Sequence, residues 1–220
     1  MTAYDIALFD SDGILVNPPA YETQVKATEA AFEAVGVTAV EQRHLNDIVN
    51  GTTVGRLQEI CSVYDIDPDT FWEARERLDE QSQFEMFKTG SRDLYDDVGI
   101  IESLPQPCGV VSNNHHSTIA FVLDFFDLAP LFGVYYGREK TVESLDLKKP
   151  NTHYLEKALA DLEGESALYI GDSESDVIAA HRAGMDSVFV RRPHSTDVAL
   201  SATPTYEVES LHAITDIVNS

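Results

Sequence analysis

Short apolar segments alternate with helix-like segments along most of this chain, and this alternation constrains the fold more than any other feature. Strands are predicted at Tyr4–Phe9, Gly109–Val111, Leu131–Tyr136, Ala167–Ile170 and Ser187–Val190. Apolar residues at helical spacing, followed by glycine stops, predict helices between them. Apolar strands that alternate with helices favour a Rossmann-like α/β fold, with a parallel sheet covered on both faces.

One long block interrupts this alternation directly after the first predicted strand. Residues 18–88 are polar and helix-like throughout, and hinges are predicted near Asn17-Pro18-Pro19 and near Lys88-Thr89-Gly90. We therefore predict a small, all-helical cap domain at 18–88, inserted into a core formed by 1–17 and 89–220. A helical lid in that position would cover the carboxyl ends of the strands, where water must be excluded and substrate chosen.

Composition places the chain among soluble globular proteins, since 43% of its residues are hydrophobic. No apolar run approaches the roughly 18 residues that a membrane helix needs, so we expect no membrane association. The first residues lack the pattern of a secretory signal, and Cys61 and Cys108 form no metal-ligand pair. We expect a cytoplasmic protein with reduced thiols, either a monomer or a homodimer.

The net charge is −23, with 38 acidic residues against 15 Lys and Arg. Nucleic acid binding is disfavoured, because phosphate contacts need clustered basic residues. Acidic residues spread along the whole chain suit a halophilic protein in a high-salt cytoplasm, where salt screens the self-repulsion. An acidic protein from an ordinary cytoplasm is the alternative.

Two carboxylates, Asp10 and Asp12, follow the first predicted strand and precede Gly13. Charged acids at the end of a buried strand are costly without a counter-charge, so a divalent cation is the simplest partner. One carboxylate can then act as a nucleophile while the other moves a proton. The alternative is an ordinary Asp-Gly turn.

Polar residues also follow the second strand and precede a later helix. Ser112, beside Asn113, could hold a phosphate oxygen with the help of backbone N–H groups, or could simply cap a helix. Two adjacent lysines, Lys148 and Lys149, precede Pro150, and a fixed ammonium there could pair with Asp10 and with the charge of a transferring phosphoryl group. A solvated surface pair of lysines is the alternative.

A second pair of acids follows the fourth predicted strand. Asp172 comes after Gly171, and Asp176 lies four residues later across a Gly-Ser loop. Asp172 would complete an oxygen-rich magnesium site with Asp10, and Asp176 could orient Lys149 or a metal-bound water. The alternative is a helix start rich in acids, which the helix dipole also favours.

Together these motifs resemble the haloacid dehalogenase-like hydrolase superfamily. The resemblance is carried by Asp10-x-Asp12-Gly13, Ser112, Lys149-Pro150 and Gly171-Asp172-Ser173-x-x-Asp176, and spans Tyr4 to about Val190. The chain is similar to the branch with a helical cap after the first motif, which includes phosphoglycolate phosphatases and beta-phosphoglucomutases.

The resemblance implies a role for each of five residues. Asp10 would attack phosphorus in line and form an aspartyl-phosphate, while Asp12 would protonate the leaving oxygen and then deprotonate water. Mg²⁺ would be held by Asp10, Asp172 and the backbone carbonyl of Asp12. Ser112 and Lys149 would neutralise the phosphoryl oxygens.

The shared motifs say least about which substrate is bound. Arg56, in a loop similar to the cap loop of this branch, could read a second anionic group such as a carboxylate, or could be an exposed helix arginine. Asn113 is a further candidate for substrate binding. Ile14 and Ser11 depart from the usual family pattern, where Thr follows Asp-Gly and a larger apolar residue separates the two acids.

The resemblance therefore implies a magnesium-dependent phosphoric monoester hydrolase acting on a small phosphorylated metabolite, phosphoglycolate-like or a sugar phosphate. Family members that remove halogens lack an acid two residues after the nucleophile, so Asp12 favours phosphoryl transfer. A phosphomutase of the beta-phosphoglucomutase type is the first alternative. A non-catalytic phospho-acceptor module is the second, although such modules carry the accepting Asp on a middle strand.

Overall fold

The computed structural model describes residues 4–219, which divide into two compact units. The first unit comprises the chain up to Asn17, Asp93–Gly137 and the chain from Leu147 onward. The second comprises Pro18–Arg92 and Arg138–Asp146. No helix in the described part of the chain is both long enough and apolar enough to cross a membrane.

The first unit is built on a sheet with the strand order β3-β2-β1-β4-β5-β6. Its strands are β1 (Ile6–Phe9), β2 (Cys108–His115), β3 (Val134–Arg138), β4 (Ala167–Gly171), β5 (Asp186–Val190) and β6 (Tyr206–Val208). β1 pairs in parallel with β2 and β4, and β5 pairs in parallel with β4 and β6. The predicted parallel α/β sheet is confirmed.

The sheet differs from the sequence prediction in several details. β3 begins at Val134 and not at Leu131, because Leu131 ends a short 3-10 helix, and β3 extends to Arg138. β2 continues beyond Val111 through the polar residues to His115, so Ser112 lies within the strand and not directly before a helix. β6 was not predicted, because Tyr206–Val208 is only three residues long and has an exposed Glu207 at its centre.

The α-helices within residues 18–92 belong to the second unit, and those from residue 116 onward belong to the first unit with the sheet. They are α1 (Tyr21–Ala34), α2 (Gln42–Val49), α3 (Val54–Val63), α4 (Pro68–Lys88), α5 (His116–Phe125), α6 (His153–Leu162), α7 (Glu174–Arg182) and α8 (Ile214–Val218). Short 3-10 helices cover Val98–Ser103, Ala129–Leu131, Glu143–Leu147 and Leu211–Ala213.

The central strand β1 is buried on both faces. Ala7 and Phe9 belong to one apolar cluster, while Ile6 and Leu8 belong to another on the opposite face. All four side chains are almost fully buried, which explains why the strand is apolar throughout rather than alternating. The core thus holds the carboxyl end of β1, and the acids that follow it, in a fixed place.

The second unit has its own core and a buried ionic network. Phe32, Phe71 and Trp72 pack together with apolar residues of α2 and α3. The fully buried Glu76 of α4 binds both Arg75 and Arg138, and this pairing joins residues 138–146 to the four helices. Replacing Glu76 alone would leave the buried Arg138 side chain without its carboxylate partner.

Candidate active site

The predicted acids meet where the strand order reverses. Asp10 follows β1 and Asp172 follows β4, and these two strands are neighbours from which the sheet is built outward in both directions. One carboxylate oxygen from each of Asp10, Asp172 and Asp176 lies within 4.8 Å of the others. Ligands of open parallel sheets bind at this kind of reversal point, outside the carboxyl ends of the strands.

Lys149 is the cation that balances this cluster. Its side chain is buried, with Nζ 2.9 Å from Asp10 Oδ2 and 2.7 Å from Asp176 Oδ1. Nζ also donates to the Tyr169 hydroxyl at 2.6 Å, and that hydroxyl donates to the Val111 carbonyl. Burial alone would lower the pKa of Lys149, but Asp10 and Asp176 outweigh it and raise that pKa to about 12. Lys149 therefore stays charged.

Asp176 is committed to structural contacts through both of its oxygens. Oδ1 faces Lys149, while Oδ2 accepts hydrogen bonds from the backbone N–H groups of Asp172 and Ser173. Ser173 and Asp176 also form the capping box that begins α7. A Cβ at Gly171 would overlap the Asp176 side chain, so this close approach requires glycine. Asp176 thus orients Lys149 and shapes the loop that carries Asp172.

The two strand-end acids carry raised pKa values. Burial raises the pKa of Asp10 to about 7, although Lys149 opposes the shift. Burial also raises the pKa of Asp172 above its ordinary value, while His194, with Nε2 2.5 Å from Asp172 Oδ2, works in the other direction. The single positive charge of Lys149 therefore does not fully compensate the carboxylates of Asp10, Asp172 and Asp176.

The donor chemistry of the site fits Mg²⁺. Asp10 and Asp172 supply carboxylate oxygens, which a small, hard divalent cation prefers, and magnesium is commonly held by one or two carboxylates plus water. A second positive charge beside these acids would supply the compensation that Lys149 alone does not give. The backbone carbonyl of Asp12 remains the third predicted ligand.

The Asp12 side chain contacts the polar end of β2, the strand that pairs with β1. Asn114 Nδ2 donates to Asp12 Oδ2 at 2.9 Å, and the buried Ser112 hydroxyl accepts from the Asn114 backbone N–H at 3.3 Å. Both polar atoms of the Asn113 amide bind the Lys149 backbone. Nδ2 donates to the Lys149 carbonyl at 3.2 Å, and Oδ1 accepts from the Lys149 N–H at 2.7 Å. The amide of Asn113 therefore holds Lys149 in place.

Arg56 lies in the second unit, at the start of α3. Its guanidinium binds Asp47 Oδ2 at 2.7 Å and Glu59 Oε2 at 2.8 Å, and its side chain is partly exposed. Two carboxylates of the chain thus already occupy the group that was predicted to read a substrate carboxylate. A role for Arg56 in substrate binding stays a prediction.

Gly13 offers a direct test of how tightly the site is packed. Its φ is +80°, and a Cβ there would overlap the Asp172 carboxylate, so Gly13→Ala should both strain the backbone and displace Asp172. Gly184→Ala is a matched control, since its φ is +74° and nothing lies near its Cβ. We expect Gly184→Ala to cost about 1 kcal/mol in urea unfolding and to keep activity, whereas Gly13→Ala loses more than about tenfold in kcat. Equal activity of the two variants would contradict this packing.

Three contacts in the site were not predicted from the sequence. Tyr169 binds Lys149, Asn114 binds Asp12, and His194 lies against Asp172. A hydroxyl within a fully buried strand needs a partner, so Tyr169 did carry a signal. Asn114 and His194 contact residues distant in sequence, and no local pattern indicates such pairs.

Comparison with known proteins agrees with this geometry. The sequence pattern of the haloacid dehalogenase-like hydrolase family matches residues 7–190. A phosphoglycolate phosphatase of Vibrio parahaemolyticus is 28% identical over an alignment of 235 positions, which covers 99% of this chain and 98% of the relative.

Solved structures share the fold over nearly the whole chain. A predicted phosphoglycolate phosphatase from Haemophilus somnus has a TM-score of 0.67 at 21% identity, covering 99% of both chains. CbbY from Rhodobacter sphaeroides, solved with phosphate, has a TM-score of 0.72 at 17% identity, covering 94% of this chain and 95% of that one. Because the family pattern spans most of the sequence and includes every strand-end acid of the site, the chain belongs to the haloacid dehalogenase-like hydrolase family.

Proposed function

We propose that this hydrolase cleaves small phosphate monoesters with Mg²⁺ as its cofactor. The observation that carries the proposal is Asp10, a buried carboxylate at the end of β1 with the Lys149 ammonium 2.9 Å from Oδ2. A nucleophile beside a fixed cation is the arrangement that phosphoryl transfer needs. The enzyme is a phosphatase, in keeping with its family and its relatives.

The chemistry assigned to the chain's own residues proceeds in two displacements at phosphorus. Asp10 attacks phosphorus and forms an aspartyl-phosphate as the ester P–O bond breaks, and Asp12 gives a proton to the leaving oxygen. Asp12 then takes a proton from water, which attacks the same phosphorus and releases inorganic phosphate and free Asp10. Lys149 and Ser112 face the phosphoryl oxygens throughout. When bound, Mg²⁺ would supply positive charge that keeps Asp10 ionised and balances the phosphoryl oxygens.

The proposed substrates are phosphoglycolate-like esters or sugar phosphates. The relative from Vibrio parahaemolyticus, a phosphoglycolate phosphatase, supports the first class. A carboxylate on the substrate would have to displace Asp47 or Glu59 to bind Arg56 bidentately. Arg56→Met should then raise KM for a phosphate ester that carries a carboxylate and leave KM unchanged for a phosphate ester that lacks one.

We also propose that the enzyme is cytoplasmic, a monomer or homodimer, and adapted to high salt. The net charge of −23 supports salt adaptation, since salt weakens repulsion among surface carboxylates. The two cysteines are free and buried, as expected in a reducing compartment.

Phosphate release from a panel of small phosphate esters tests the proposal. The panel should include 2-phosphoglycolate, several sugar phosphates and p-nitrophenyl phosphate, each with Mg²⁺ or with EDTA, at low and at multimolar KCl. We expect turnover that requires Mg²⁺ and prefers one ester class. Folded protein that releases no phosphate from any ester at either salt concentration would rule out the phosphatase, and isomerisation of a sugar phosphate without release would indicate a mutase.

A further inference from the structure

A buried arginine supports the loop that carries Asp12. Arg192, just after β5, is 5% exposed. Its Nε donates to the Gly13 carbonyl at 3.2 Å, and its Nη2 donates to the Ile14 carbonyl at 3.1 Å. The backbone carbonyls of Gly13 and Ile14, directly after Asp12, therefore both accept hydrogen bonds from one side chain. That side chain lies 179 and 178 positions away in the sequence.

Asp97 fixes the same guanidinium from the other side. Nη1 of Arg192 donates to Asp97 Oδ2 at 2.8 Å and Nη2 donates to Oδ1 at 2.9 Å, which is a bidentate pair. The Ser210 hydroxyl and the Leu211 N–H also donate to Asp97 Oδ2, at 2.9 and 2.8 Å. The guanidinium lies over the Tyr95 ring, 3.9 Å from its centre. Arg192 thus has little freedom to move.

Such a pair is an expensive way to add stability alone. A buried ion pair can often be replaced by apolar side chains without loss, because desolvation offsets the attraction between the charges. Here the planar fork of arginine does something that an apolar side chain cannot, since it links two loop carbonyls to a carboxylate anchored elsewhere in the unit. The opposite end of the loop is held by Asn114, which binds the Asp12 carboxylate itself.

We propose that Arg192, locked by Asp97, is a positioning residue that sets the Asp12–Ile14 backbone so that the Asp12 carboxyl reaches the leaving oxygen of the substrate. The inference rests on the proposed phosphatase reaction. It assigns Arg192 to the proton transfer by Asp12. A shift of the Asp12 carbonyl, the third predicted Mg²⁺ ligand, would slow both ester classes alike, so the role assigned to Arg192 is the additional loss for the poorer leaving group. A misplaced acid harms esters with poor leaving groups most, because a good leaving group departs without a proton.

The test compares kcat/KM for p-nitrophenyl phosphate with kcat/KM for the best alkyl phosphate of the panel. This parameter reports on steps up to the first irreversible one, which is transfer of the phosphoryl group to Asp10. For Arg192→Met we expect kcat/KM on the alkyl ester to fall at least about tenfold more than on the aryl ester, in the same direction as Asp12→Asn. Arg191→Met is the matched control. The Arg191 guanidinium binds Glu207 at 2.7 Å and donates to backbone carbonyls within residues 195–198, whereas Arg192 donates to Gly13 and Ile14. Arg191→Met should therefore leave the ratio unchanged.

Asp97→Asn provides a second, milder variant in case Arg192→Met does not fold. The amide can still accept the hydrogen bonds of Ser210 and Leu211, but it pairs less well with Arg192, so the ester ratio should shift in the same direction by a smaller factor. Arg192→Lys, which keeps the charge but not the fork, should restore less than half of the lost ratio on a logarithmic scale. Equal losses on both esters in the folded variants would overturn the positioning role. Wild-type protein that hydrolyses neither ester would instead remove the proposed function.

Discussion

Replacing Asp10 with asparagine should lower turnover of any phosphate ester by about 10⁴-fold or more. The amide keeps the size of the side chain and can still accept the hydrogen bond that the Ser11 N–H donates to Oδ1 at 2.7 Å. It cannot form a carboxyl-phosphate, so the covalent route is lost while the fold remains. Steady-state phosphate release, with circular dichroism to confirm folding, measures both consequences.

Asp93→Asn is a close control for this substitution. Asp93 also accepts a hydrogen bond from the backbone N–H of the next residue, at 2.8 Å, but its side chain is exposed and distant in sequence from the acid cluster. Turnover of Asp93→Asn should match that of the wild type. If Asp10→Asn retained more than about a hundredth of wild-type activity, Asp10 would not be the nucleophile.

Replacing Lys149 with methionine should damage both activity and stability. Methionine fills a similar volume but leaves Asp10 and Asp176 without the cation that lies 2.9 and 2.7 Å from them. We expect a loss of about 3 kcal/mol in the free energy of unfolding at neutral pH without Mg²⁺, because a buried charge pair is broken on one side only. Turnover should fall by about 10³-fold or more, since the phosphoryl oxygens lose a fixed positive charge.

Lys148 provides the control for this second prediction. It precedes Lys149 directly in the sequence but is only half-buried, whereas Lys149 is buried. Lys148→Met should keep the unfolding free energy within about 1 kcal/mol and retain turnover. If Lys148→Met and Lys149→Met lost the same amount of activity, the assignment of Lys149 as the phosphoryl-binding lysine would be wrong.

The parallel sheet and the position of its acids followed from local sequence patterns. β1 and β4 are short apolar runs that end directly before Asp10 and Asp172, so hydrophobicity and turn residues together placed both acids at strand ends. Parallel topology then brought the two ends to one edge of the sheet. This part of the candidate site is local in origin, and for that reason it could be predicted.

The parts that could not be predicted depend on contacts between distant residues. The Asp97–Arg192 pair joins positions that are 95 residues apart, and neither residue belongs to a local motif. Residues 138–146 begin with the last residue of β3, yet the Arg138–Glu76 pair joins them to the helical unit. The extension of β2 through His115 also escaped prediction, since its polar residues resemble the end of a strand.

Trapping the covalent intermediate tests most directly whether Asp10 is the nucleophile. Asp12→Asn, incubated with acetyl phosphate and Mg²⁺, should accumulate phosphoenzyme, because the leaving group needs no proton while hydrolysis lacks its base. Acid quenching and borohydride reduction convert an aspartyl-phosphate into homoserine, and peptide mass spectrometry locates it. We expect homoserine at position 10 in Asp12→Asn and none in Asp10→Asn. Reduction at any other residue, or none at position 10 while the wild type turns over, would contradict the assignment of Asp10 as the nucleophile.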